Sequence, residues 1–177
     1  GFKSHQAHHI KEKGLSNYLF KSSLSFDDVL LEPKYSEIIS RSEIDISTEI
    51  GEMRFKLPVV SSPMDTVTET DMLQAMDTAG GLGIAHRYNS IEDQCKMISD
   101  AKSRGAAYVG AAVGVSGDFV ERAESLADAG VSVLCIDIAH GHHALMKNAI
   151  NTIKNRLGDT VHIMAGNVAT LRGFNDL

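Results

Sequence analysis

From Leu57 onward the chain repeats one unit, an apolar run of four to seven residues followed by a segment of helical period, about every 25 residues. Leu57 to Ser61 leads to a helix from about Glu69 to Ala79, with Met72, Leu73, Met76 and Ala79 on one face and Gly80-Gly81 as its stop. Leu82 to Ala85 leads to a helix opening at Ser90, with Ile91, Cys95, Ile98 and Ala101 inward. Ala107 to Ala112 leads to a helix after Ser116 that carries Phe119, Val120, Ala123, Leu126 and Ala127 and ends at Gly130. Val131 to Ile136 leads to a helix with Leu145, Ala149, Ile150 and Ile153, and Val161 to Ala165 opens a fifth unit. Short apolar strands alternating with helices predict a parallel sheet with right-handed crossovers. No G-x-G-x-x-G follows the first strand, which removes the usual dinucleotide fingerprint of an open sheet. The repeat alone fits either an open doubly wound sheet or part of a barrel; without that fingerprint it favours a (β/α)8 TIM barrel, of which residues 24–177 supply about the first five βα units, a whole barrel taking about 250 residues.

Composition narrows the partners. A net charge of -6, a pI near 5.7 and the lack of any long Lys/Arg cluster argue against nucleic acid. Cys95 and Cys135 lie inside apolar patterns, so neither a disulfide framework nor a zinc site is indicated and a reducing cytoplasm fits. No apolar run approaches the roughly 20 residues that span a bilayer, and the charged N-terminus has no signal-peptide core. Residues 1–23 read as a polar leader or arm; its His5, His8 and His9 lack a carboxylate or cysteine at ligand spacing, and a solvated tail is expected.

The polar clusters fall at strand ends, where a barrel keeps its chemistry. Ser61-Ser62-Pro63-Met64-Asp65-Thr66-Val67-Thr68-Glu69 follows the first strand; its small hydroxyl residues admit a ligand, Pro63 fixes the turn, and Thr66 with Glu69 has capping-box spacing. Taken alone it is equally a capped turn without a ligand. Asp137 follows five apolar residues and is either a ribose-binding carboxylate or a cap for the next helix. Asn167, next to Gly166, offers an amide that both donates and accepts. His140, His142 and His143 have no identifiable third ligand and are expected to line a pocket rather than hold a metal. Arg87, after His86, is either a phosphate or carboxylate ligand or a solvated strand end.

The nonapeptide resembles the same stretch of the IMP dehydrogenase and GMP reductase family. So do Phe26 to Pro33, Gly80 to His86, Val109 to Gly114, Asp137 to His142 and Ala165 to Thr170, in order across residues 24–177. The resemblance implies a purine-nucleotide oxidoreductase: a cysteine thiolate adds to C2 of the nucleotide, a hydride passes between C2 and a nicotinamide cofactor, and the adduct is resolved. Water resolves it in the dehydrogenase (IMP, NAD and water to XMP and NADH), whereas the reductase takes GMP and NADPH to IMP and ammonia. It places Ser62, Met64 and Asn167 at the nucleotide (IMP or GMP) and Asp137, His86, Ile138 and Ala139 at the cofactor, NAD or NADP. It admits a potassium site outside this chain, and implies a homotetramer completed by the remaining barrel strands.

The family's nucleophile lies in a glycine-serine-cysteine loop after a sixth strand. Neither Cys95 nor Cys135 matches it, so both are expected to be packing residues and the catalytic cysteine to lie beyond Leu177. A non-catalytic nucleotide-binding or assembly protein built on a truncated barrel is the reading from another class. Dehydrogenases usually insert paired CBS modules between the second and third units; here Ser90 to Arg104 runs directly into Gly105. That absence, Ser40 to Glu43 and His86 to Tyr88 lean toward the reductase. Met64 to Glu69, Asn89 to Gln94 and Val109 to Gly114 lean toward the dehydrogenase, which is favoured.

Overall fold

The computed structural model describes residues 25–177, so the histidines of the leader lie outside the described residues. Contacts divide the chain into two units at Glu43/Ile44. In the first, a 3-10 turn over Phe26–Asp28 is closed by the Asp28 carboxylate, which accepts from the Ser25 N–H and hydroxyl. A second turn covers Arg41–Glu43, and Leu30 and Leu31 are exposed.

The second unit opens with an antiparallel hairpin, β1 (Thr48–Ile50) and β2 (Met53–Phe55), paired Thr48 to Phe55 and Ile50 to Met53. Gly51 takes φ +57 in its two-residue loop, a conformation that favours glycine, and the His162 ring occupies the place a Cβ there would need. Then come β3 (Val60–Ser61), α1 (Thr70–Ala79), β4 (Leu82–Ala85), α2 (Ile91–Ser103), β5 (Gly110–Val113), α3 (Phe119–Asp128), β6 (Val133–Asp137), α4 (Ala144–Leu157), β7 (His162–Gly166) and α5 (Leu171–Asp176). The sheet order is β3-β4-β5-β6-β7 and every neighbouring pair is parallel. Five βα units in barrel order are thus present, as the repeat predicts.

Two cores lie on the two faces of this sheet. On the helix side, Ala85, Ala111, Val113, Leu134 and Ile136 pack with Leu73, Ile98, Ala123, Leu126, Met146 and Ile153. On the other side, Leu82, Ile84, Ala112 and Val133 pack with Met53 and Phe55 of the hairpin. The alternation of side chains along each strand sends successive residues to these two cores.

Several expected boundaries move for identifiable reasons. The first strand shortens from Leu57–Ser61 to Val60–Ser61: Pro58 has no N–H to give, and the Leu57 N–H goes to Gly80 O rather than into a ladder. β5 begins at Gly110 and not Ala107, because Asp77 Oδ1 takes the Ala107 and Tyr108 N–H groups at 3.0 and 2.9 Å. On α1 only Leu73 is buried; Met72 and Ala79, expected inward, are exposed. On α4 the inward residue is Met146 and Leu145 is exposed, a shift of one position that aligns Met146, Ala149 and Ile153.

Candidate functional site

The turn after β3 is held from beneath. Thr68 is fully buried; its hydroxyl lies 2.7 Å from Ser62 O and 2.9 Å from Ser61 Oγ. The Val67 and Thr68 N–H groups both bond to Met64 O, so the backbone is tied down while Ser62 and the Met64 side chain remain exposed. The capping box expected of Thr66 and Glu69 does not form. Glu69 is itself the N-cap of α1 and its side chain makes no cap bond. Its carboxylate turns instead to His86, 3.1 Å from Nε2.

His86 follows the last residue of β4 and is only 3% exposed. The Tyr88 N–H donates to its Nδ1 at 3.2 Å, so in the neutral ring the proton sits on Nε2 and is donated to Glu69. Both nitrogens are therefore engaged inside the fold, and what faces outward here is Arg87 and the exposed Tyr88 of this loop, with Glu69 from the turn after β3 beside them. The Arg87 guanidinium stands 5.7 Å from the Tyr88 ring centre, so it is partnered rather than loose in solvent. A groove of about 450 Å³ opens here, lined by Asp65, Glu69, His86, Tyr88 and Asn89 together with the outer face of α2.

Across the sheet, Asp137 is the last residue of β6 and pairs with Gly166 of β7. Beyond it the two loops stay joined: the Ile138 N–H reaches Gly166 O, the Asn167 N–H reaches Ile138 O, and the Gly141 N–H reaches Asn167 O. A Cβ on Gly141 would lie 2.8 Å from Asn167 O, so glycine is what permits this approach. Asp137, Ile138, Ala139 and Asn167 thus belong to one backbone-linked cluster, with Ala139 and Asn167 exposed and Ile138 packed against the helix-side core. Helix α4 is capped by His143, whose Nδ1 accepts from the Leu145 N–H. The Asp137 carboxylate is therefore not the cap. Ser62 and Met64 follow β3, which lies three strands from β6, or about 14 Å along the sheet at ordinary strand spacing.

The other histidines have local duties. His142 Nε2 lies 2.9 Å from Asp176 Oδ2 of α5, and that hydrogen bond holds the Asp176 carboxyl below the usual range. Among the described residues, no group of three His, Cys, Asp or Glu side chains is placed to hold a metal. Burial pushes the Cys135 thiol up to about 11, with Asp137 adding to the effect, and burial also raises Cys95. Neither is poised as a nucleophile at neutral pH.

Two residues escaped the sequence reading. Gln94 on α2 is fully buried and Arg122 on α3 is 7% exposed. Each is the fourth residue of its helix and the second of an inward stripe (Ile91, Gln94, Cys95, Ile98 and Phe119, Arg122, Ala123, Leu126), so helical period alone places both inside. A polar residue at that place in two neighbouring helices was the available signal.

A parallel sheet of five strand-helix units, with polar loops gathered at the carboxyl ends of β3, β4, β6 and β7, defines part of an α/β barrel, and the candidate residues cluster at that end. The sequence profile of the IMP dehydrogenase / GMP reductase domain matches residues 23–177, and the chain belongs to that family. It is 44% identical over 100 residues to the inosine-5'-monophosphate dehydrogenase of Nitrosopumilus maritimus, covering 56% of this chain and 21% of that protein. The inosine-5'-monophosphate dehydrogenase of Cryptosporidium parvum is 31% identical over 87% of this chain and 48% of its own length. A GMP reductase of Albidiferax ferrireducens is 34% identical over 86% of this chain and 46% of its own length. Measured on those longer alignments, the chain spans about half the length of the curated relatives it matches.

Proposed function

We propose that this chain forms the nucleotide- and cofactor-holding part of a purine-nucleotide oxidoreductase, acting as an IMP dehydrogenase: IMP, NAD and water give XMP, NADH and a proton. The observation that carries the reading is the Asp137 carboxylate, at the end of a buried strand, relieved of capping by His143 and tied through Ile138 and Gly166 to the Asn167 loop. A carboxylate so placed accepts from the two hydroxyls of a ribose, charge-assisted bonds of about 1.5 to 3 kcal/mol. Ser62 donates or accepts at the nucleotide, Met64 gives an adaptable apolar surface to the base, and Asn167 offers both amide functions to the purine. His86, with both nitrogens engaged, serves the cofactor by holding Glu69 and its loop. Bound NAD supplies the hydride acceptor. In this reading the thiolate that attacks C2 comes from a cysteine other than Cys95 and Cys135, which is supported by the burial that raises both of their thiols. A subunit that assembles as a homotetramer and works in the cytoplasm is part of the same proposal; among the described residues no helix is long and apolar enough to cross a membrane.

GMP reductase is the second reading, favoured by the 34% identity to the Albidiferax ferrireducens protein over most of this chain. There GMP, NADPH and a proton would give IMP, NADP and ammonia at the same residues. The test is made in the full-length polypeptide, following IMP-dependent NAD reduction and GMP-dependent NADPH oxidation side by side. Asp137→Ala is expected to raise KM for the nicotinamide cofactor at least tenfold while thermal unfolding shifts little. An unchanged KM with a sharp fall in melting temperature would make Asp137 a structural residue and remove the observation on which the reading rests.

A further inference from the structure

The α2–α3 interface holds a buried charge that the proposed chemistry does not use. Arg122 Nε and Nη2 both donate to Asp118 Oδ2, at 3.2 and 2.7 Å. Nη1 donates to Gln94 Oε1 at 2.8 Å and reaches Ser90 O at 3.5 Å, and Nη2 donates to Asn89 O at 3.1 Å. Gln94 passes the connection on: its amide nitrogen donates to Ala112 O at 2.9 Å and reaches Ala85 O at 3.5 Å. The β4–β5 pairing extends only to Ala85 and Ala111. Gln94 therefore bridges the two strands where their own ladder stops.

Every acceptor in this network other than Asp118 belongs to β4, β5, α2 or the loop between β4 and α2. That loop, residues 86–90, starts at the Ala85 carbonyl and ends at the Ser90 cap of α2, which accepts from the Asp93 N–H. Between these points it carries His86, with Glu69 on its Nε2, and Arg87 and Tyr88 stacked beside the groove. We propose that Arg122 is the positioning residue of this loop, setting from a neighbouring helix where His86 and Glu69 stand at the cofactor side of the mouth. The cost of burying a guanidinium is offset only when its donors are fully used, and a stable pack needs no charge between two helices. A planar fork is required here because three separate directions must be met, toward Asp118, toward Gln94 and toward the two loop carbonyls.

The kinetic part of this proposal rests on the oxidoreductase reading; the structural part does not. Arg122→Lys in the full-length polypeptide keeps the charge beside Asp118 but cannot fork to Gln94 and the loop. Arg156→Met, which removes an exposed pair with Glu124, is the control. Hydrogen exchange is expected to quicken at least tenfold for amides of residues 86–90 in Arg122→Lys, the Tyr88 amide included, and by less than twofold in β5 and β6. KM for the nicotinamide cofactor is expected to rise about tenfold with kcat reduced less than twofold. Uniform quickening across the strands would make Arg122 a general staple and overturn the proposal, as would loop exchange indistinguishable from the control. A loosened loop with unchanged KM would overturn its role at the cofactor. If the unaltered protein turns over neither nucleotide, the oxidoreductase reading fails while exchange still decides whether Arg122 holds the loop. Should Arg122→Lys not fold, Gln94→Met, which leaves the Asp118 pair in place, carries the same comparison.

Discussion

β6 and β7 pair over five residues, from Val133 with His162 to Asp137 with Gly166, and each carries three or more apolar residues, yet they are buried to different degrees. Val133, Leu134 and Ile136 are fully buried, whereas every residue of β7 keeps partial exposure. Among the described residues β6 has a strand on each side and β7 has one, and beside β7 Ile150, Ile163, Ala165 and Phe174 line an apolar groove of about 300 Å³. The helices repeat the contrast. Between α2 and α3 a guanidinium is sealed with all its directions used, while at α5 the pair of His142 and Asp176, with Arg172 alongside, sits in the open. Apolar content makes a segment eligible for burial, and neighbours decide whether burial follows.

The widest gap should appear on truncating one side chain in each strand. Leu134→Ala is expected to cost the 177-residue chain about 3 to 4 kcal/mol in denaturant unfolding, and Ile163→Ala about 1 kcal/mol, because a half-exposed site can fill or solvate its cavity. Equal costs would break the comparison. Convergence of the two in the full-length polypeptide would sharpen it, by showing that β7 acquires a cover.

Cys135 reports on the covered side, between β5 and Met164 of β7. Its thiol ionises at about 11 rather than near 9, so the folded state holds the proton more tightly than the unfolded chain does. Stability from this group is complete below pH 9 and is lost as pH rises toward 11, by on the order of 2 kcal/mol. Cys135→Ala should flatten that limb of the stability profile; an unchanged slope would mean that the thiol is wetter than the structure has it.

The smallest effect belongs to the open edge. The Asp176 carboxyl is lowered chiefly by its hydrogen bond from His142, so its contribution is present above the usual carboxylate range and disappears as pH falls below about 4. Amide exchange in α5 should quicken there while β5 and β6 keep their protection. Loss of protection in all three together would tie α5 to the main core.

Much of this organisation is legible in the residues. The strand-helix period yields the parallel order, and Gly80 and Ser90 mark helix ends where the structure has them, because caps and stops are local choices. The boundaries that move do so for tertiary reasons: Asp77 on α1 takes two N–H groups that would otherwise have lengthened β5, and a sequence window around Ala107 cannot contain Asp77. The β1–β2 hairpin was missed although Ile50, Met53 and Phe55 flank a glycine loop, since its strands are only three residues each. At the candidate site, the strand-end positions of Ser62, Asp137 and Asn167 follow from the repeat. The pairing of Glu69 with His86 does not, because the capping-box spacing of Thr66 and Glu69 supplies a nearer and more familiar partner.

The seat of Gly51 against His162 has a consequence for how the molecule is made. The hairpin is translated before the residue whose ring closes on its turn, which lies roughly 110 positions later. At synthesis rates of about 5 to 20 residues per second the hairpin waits on the order of ten seconds for that partner, with Met53 and Phe55 unable to reach their full burial meanwhile. Contacts between such distant residues are slow to close and come late in folding. During that interval Met53 and Phe55 stay open to wrong partners, the kind of apolar surface that a chaperone shields.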